Sequence, residues 1–330
     1  MSVDPGLAHL LGRLAVVEER VRREVSARRE LDPQPDDPFR GLYLSEEAVE
    51  RVLAGRLSGA APDPVADAHL AAVETAADEA ERAGASIRLR TLARAMALGQ
   101  LDVELLLVAL APDLDSRFEQ LYGYLNDDVT RRRAAVGMAL RLCGLPEAAA
   151  QGRARLTGEA PLLAAGLLVV DDMDRPLLSR ALRVPDRVAA HLLGDDRPDP
   201  ALAGVLVSPP RWRPAAEALR GALSRGVRLV YLRERLGGSG VAVAAAALDG
   251  PVLVADAARL AGEPPAVART LIREARLVGA GLIVEPVEAL VAEAPAVLRL
   301  LAAAPVPVLL VGAASWDPRW AEEPPLQLDA

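Results

Sequence analysis

Lysine is missing from this 330-residue chain; all 38 basic residues are arginine, a bias of composition rather than a mechanism. Aromatic residues make up only 3% and hydrophobic residues 52%, so the interior must consist of Leu, Val and Ala layers. A chain of this length can bury two or three such cores. A single cysteine, Cys143, excludes an internal disulfide and fits a reducing compartment. His9, His69 and His191 lie far apart, and none has metal-ligand spacing to a second His or Cys. No metal site is expected. A net charge of −8 disfavours a general polyanion-binding role. No stretch approaches the roughly 18 uncharged apolar residues of a membrane span; the best candidate is Pro161–Val170. Asp4 and Glu18-Glu19 interrupt any signal-peptide pattern. A cytoplasmic protein without membrane contact is expected.

Against these absences stands one motif frame. The apolar run Val227–Leu232 leads into Arg235-Leu236-Gly237-Gly238-Ser239-Gly240, and the helix-forming run Val241–Leu248 follows. Strand, glycine-rich turn and helix is the order of a phosphate loop with the pattern GxxxxGK[ST]. Aligned on Gly240, the first glycine is Arg235, the lysine is Val241 and the magnesium-binding hydroxyl is Ala242. With no lysine in the chain, no neighbour replaces the missing one. Gly237, Gly238, Ser239 and Gly240 therefore form a degenerate phosphate loop. Its backbone amides are the only phosphate ligands left, and the charge clamp for phosphoryl transfer is gone. The alternative for these glycines is a tight strand-to-helix turn and nothing more.

The rest of the chain divides around this motif. Residues 6–30 read as an amphipathic helix with a stripe of Leu7, Leu11, Leu14, Val17, Val21 and Val25. A stripe this apolar needs cover, either from its own helical domain or from a partner or second copy. Leu31–Arg40, with three prolines, reads as a linker, so residues 1–40 form a helix plus linker. Residues 41–194 are expected to form a helical, winged-helix-like domain. Its helices are expected at Ser45–Gly55, Asp67–Ala83, Leu89–Leu98, Val103–Ala111, Ser116–Leu125, Arg131–Cys143 and Val184–Leu193. A β-ribbon is expected from Leu162–Val170 and Pro176–Leu182 around the acidic turn Asp171–Asp174. Residues 201–320 alternate strands (Val227–Leu232, Val252–Ala255, Gly281–Glu285, Val306–Val311) with helices (Pro214–Ser224, Val241–Leu248, Pro264–Val278, Val287–Ala303). That pattern predicts a parallel α/β sheet. Residues 321–330, with Pro324 and Pro325, read as a tail.

Two stretches carry a family resemblance: Leu105–Asp115 and Phe118–Arg133, the latter containing Tyr124-Leu125-Asn126-Asp127-Asp128-Val129-Thr130-Arg131-Arg132-Arg133. Together they resemble the N-terminal variant winged-helix region of bacterial AAA-family ATPases, those beside contractile injection systems in particular. The resemblance covers most of residues 40–315. It implies an α/β fold with a helical N-terminal part: a winged-helix-like α+β domain followed by a degenerate P-loop, AAA-like parallel-sheet domain. It also implies a chain matching the N-terminal half of such a protein, ending after its fourth conserved strand, with an intact AAA domain downstream or in trans. By the same carry-over the Walker B carboxylates become Glu285 and Pro286, which loses the water-activating glutamate, and the sensor residue falls near Ser315. Glu288 reads as a helix-start cap.

These readings converge on a non-catalytic regulatory or scaffold region of an AAA-type ATPase, acting through protein–protein interaction and assembly. No catalytic residue is assigned. No cofactor is expected, ATP being the one nucleotide the frame leaves open, in an alternative reading as an atypical ATPase. A second alternative is a winged-helix DNA-binding regulator, with Arg131, Arg132 and Arg133 on a recognition helix. Asp127 and Asp128 directly precede these arginines, so mutual pairing is expected rather than nucleic-acid contact. Trp212, Trp316 and Trp320 read equally as interface anchors or as core-edge filling.

Overall fold

The structure, a computed structural model, describes residues 4–30, 63–212, 214–234 and 238–329. The expected linker at Leu31–Arg40, the expected helix at Ser45–Gly55 and Gly237 of the glycine turn lie outside the described residues. The chain divides into two compact units, residues 1–195 and 196–330.

In the first unit, α1 (Pro5–Glu30) packs against α2 (Pro64–Arg82), α3 (Arg88–Ala95), α4 (Gln100–Leu114), α5 (Arg117–Leu125) and α6 (Val136–Leu142). The chain's own helical domain covers the buried face of α1. The buried face is rotated from the stripe read in sequence. Leu10, Leu14, Val16, Val17 and Val21 are buried, whereas Leu11 is 46% exposed. The rotation follows from His9 and Arg13, polar residues that the stripe omits and that Glu74 of α2 draws inward.

α4 is the centre of the unit; Leu105 to Ala111 are almost wholly inaccessible, as befits a helix apolar on every side. Pro112 does not end this helix, contrary to expectation, but lies inside its last turn. A proline there has no N–H for the carbonyl four residues back. That carbonyl, on Val108, instead accepts from the Tyr122 hydroxyl of α5 at 2.8 Å.

The expected helix at Arg131–Cys143 begins only at Val136. The Asn126 side chain donates to the carbonyls of Arg131 and Arg133, at 2.9 and 2.8 Å, and so holds that stretch out of helical geometry. Asp127 sits at φ +58°, and Asp128 closes an Asx turn on the Thr130 amide. The freed segment runs extended, with Ala135 bridging Ala181.

Short helices α7 (Ala150–Ala154) and α8 (Pro161–Ala164) follow, the latter inside a stretch expected to be strand. The ribbon itself is reduced to β1 (Val169–Val170) and β2 (Leu182–Arg183), paired antiparallel. α9 (Asp186–Leu192) closes the unit.

In the second unit a six-stranded sheet runs β3 (Leu206–Val207), β5 (Val252–Asp256), β6 (Gly281–Glu285), β7 (Val308–Gly312), β4 (Leu229–Arg233), β8 (Leu326–Asp329). All neighbours are parallel except β3 with β5. Alternate residues feed opposite faces, as a two-residue period requires. Tyr231, Leu282, Val284, Val308 and Leu310 pack with α12 (Ala257–Ala261), α13 (Pro265–Val278), α14 (Val287–Glu293) and α15 (Pro295–Ala302). Val230, Leu232, Ile283, Leu309 and Val311 pack with α10 (Glu217–Ser224) and α11 (Gly240–Ala247). Three sequence expectations are corrected here. Residues 321–330 are not a free tail, because β8 extends the sheet beside β4. The sheet therefore does not stop at a fourth parallel strand. The single helix at Val287–Ala303 is two, because Pro295 forces Ala294 out of α geometry, to φ −141° and ψ 58°.

Candidate functional site

In an open parallel sheet, ligands bind beyond the carboxyl ends of strands where the connections diverge. β4 is that strand: the chain leaves it for β5, across β7 and β6, while β8 returns on its other side. The glycine turn lies at this carboxyl end, between β4 and α11.

Each loop position can be followed. Gly238 is exposed, Ser239 precedes α11 without a side-chain cap, and Gly240 is its first residue. The Gly240 amide, which would point at a phosphate, donates to Glu234 Oε1 at 2.9 Å. A carboxylate of the chain itself thus occupies the helix start, satisfying an orphan N–H with the charge sign that the dipole favours. Gly240 has a packing reason of its own. A Cβ there would lie 2.6 Å from Val311 Cγ1. At the lysine position Val241 is partly buried against the α11 side of the sheet core, and at the hydroxyl position Ala242 is buried.

The neighbouring strand ends add negative charge. Asp256, at the end of β5, accepts from the Ala258 and Arg259 amides and caps α12. Glu288, expected to cap the start of its own helix, instead reaches across to the Ala313 and Ala314 amides at 2.6 and 2.8 Å after β7. Glu285 ends β6. Its burial, together with the charges of Glu234, Asp256 and Glu288, holds its carboxyl above the usual range. Three of the four carboxylates are spent on backbone amides, and Asp256 also pairs with Arg259 at 3.1 Å. Among the described residues no group of three or more His, Cys, Asp or Glu is placed to hold a metal ion. Ser315, the carried-over sensor, is exposed.

The tryptophans divide by position. Trp316 and Trp320 stack with Tyr231, at 5.3 and 6.3 Å between ring centroids, and fill the core edge. Trp212 is 62% exposed.

The nucleic-acid candidate lies in the first unit. Arg131, Arg132 and Arg133 are not on a helix, and each meets a carboxylate: Asp128 at 3.3 Å, Glu119 at 3.3 Å and Asp113 at 3.2 Å. The helix directly before the ribbon, α8, has the sequence Pro-Leu-Leu-Ala and no basic side chain. The ribbon turn holds Asp171, Asp172 and Asp174, with Asp171 paired to Arg183 at 2.8 Å.

Sequence reasoning missed the Glu234 contact, whose signal was an acid immediately after the strand. It also missed the network of His9, Arg13, Glu74 and Arg90, whose members are far apart in sequence. Glu74 Oε1 accepts from Arg13 at 2.6 Å and contacts His9 Nε2 at 3.1 Å, while Oε2 accepts from Arg90. Burial opposes the charge on Glu74, yet the bonds from Arg90, Arg13 and His9 outweigh it and hold the carboxyl at about 2. Burial pushes His9 below its ordinary value, against the pull of Glu74.

Helices α5, α6 and α8, an extended segment bridged to a two-stranded ribbon, and a closing helix define a winged-helix domain, followed here by a mostly parallel α/β unit. The family model described as winged helix domain, variant, matches residues 4–206, and the chain belongs to that family. No curated protein matches the chain, and no solved structure does.

Proposed function

We propose that this chain is the non-catalytic regulatory or scaffold region of an AAA-type ATPase, working through protein–protein contacts and linked to a contractile injection system. The winged-helix unit serves recognition, and the α/β unit serves packing and assembly. One observation carries the reading: the strand–glycine turn–helix at the divergence of β4 has its first helical amide held by Glu234. Val241 and Ala242 support the same reading, since an apolar, partly buried side chain and a buried methyl stand where a nucleotide site would need a lysine and a hydroxyl. A nucleoside triphosphate arriving there meets Glu234, Glu285 and Glu288 with no lysine to offset them, and Asp256 already holds Arg259. The alternative of an atypical ATPase has less support for that reason, and the alternative of a DNA-binding regulator because Arg131–Arg133 are paired internally.

The test is nucleotide binding and turnover with the purified chain. The expected outcome is no saturable ATP binding below about 1 mM, a threshold near −4 kcal/mol, and no turnover above background. Turnover that Gly240→Asp abolishes would overturn the reading.

A further inference from the structure

We draw no further inference here: the strongest candidate, the exposed patch of Val207, Arg211 and Trp212 that follows the edge strand β3 of the second unit, carries nothing because nothing in the structure shows what covers it.

Discussion

At the scale of single residues, the first unit is organised by polar groups placed where the apolar pattern alone would not put them. Pro112 deprives the Val108 carbonyl of its helical donor, and Tyr122 supplies one from the next helix. Tyr122→Phe should therefore cost about 1–3 kcal/mol, the penalty for a buried unsatisfied acceptor. Pro112→Ala restores an N–H at that place, so the cost of Tyr122→Phe should shrink in the Pro112→Ala background. Denaturant unfolding of the four proteins of the cycle measures the coupling, and strict additivity would deny the substitution of one donor by the other. His9 and Glu74 make a second residue-scale case. The folded value of His9 lies below its ordinary 6.5, so its contribution to stability is complete above that pH and is lost as pH falls through it. Glu74, lowered from 4.5 to about 2, contributes fully above 4.5 and loses that contribution as pH falls towards 2. Both act in the same direction. Stability should fall on acidification in two stages, and His9→Gln should remove the earlier stage while leaving the later one. Melting temperatures of the two proteins across about pH 2–8, a range spanning both windows, provide the check, and identical profiles would exclude His9 as the source.

At the scale of elements, Gly240 is the residue where two explanations compete. Close packing against Val311 predicts that Gly240→Ala destabilises the α/β unit by about 1–3 kcal/mol, and that adding Val311→Ala recovers much of the loss. A glycine kept only for phosphate approach would leave stability unchanged, so the melting temperature of the second unit decides. The same element shows how far the sequence could be read. The core strands β5, β6 and β7 were legible because uninterrupted Val, Leu and Ile runs between turn signals suit a sheet covered on both faces. The glycine turn was legible for its composition. The Glu234 contact was not, because a single acid after a strand carries no periodic signal. Arg131–Cys143 looked helical, with two aspartates ahead of three arginines, yet Asn126 reaches forward to the carbonyls of Arg131 and Arg133 and keeps the first residues out of the helix. Tertiary side-chain bonds of this kind leave no trace in local propensity. β3 and β8 were missed for a different reason: two and four residues long, they are strands only because an existing edge receives them. The break before α15 was written in Pro295 and was readable from the restriction that proline places on its predecessor.

At the scale of the whole molecule, two units with separate cores share a chain of net charge −8, and none of the described helices is long and apolar enough to cross a membrane. A winged-helix fold does not by itself name a ligand, because function is set by the groups a fold displays. Nucleic-acid affinity depends on basic side chains free to replace counterions on phosphates. Here Arg131, Arg132 and Arg133 are each paired with a carboxylate. Arg155, near α7, is paired with Asp102 at 3.2 Å. α8 has no charge to offer, and in the ribbon and its turn Arg183 is paired with Asp171 and Arg175 lies 3.9 Å from Asp172. Duplex DNA should therefore bind no better than to an unrelated acidic protein, and lowering the salt should gain little affinity. Fluorescence anisotropy with a duplex of about 20 base pairs, repeated from 50 to 200 mM salt, makes the measurement, since several phosphate contacts would change affinity by orders of magnitude over that range. Submicromolar binding with a steep salt slope, lost in Arg131→Ala/Arg133→Ala, would overturn this expectation. It would also show that those arginines leave Asp128 and Asp113 for phosphate, and would move the winged-helix unit from protein recognition to DNA.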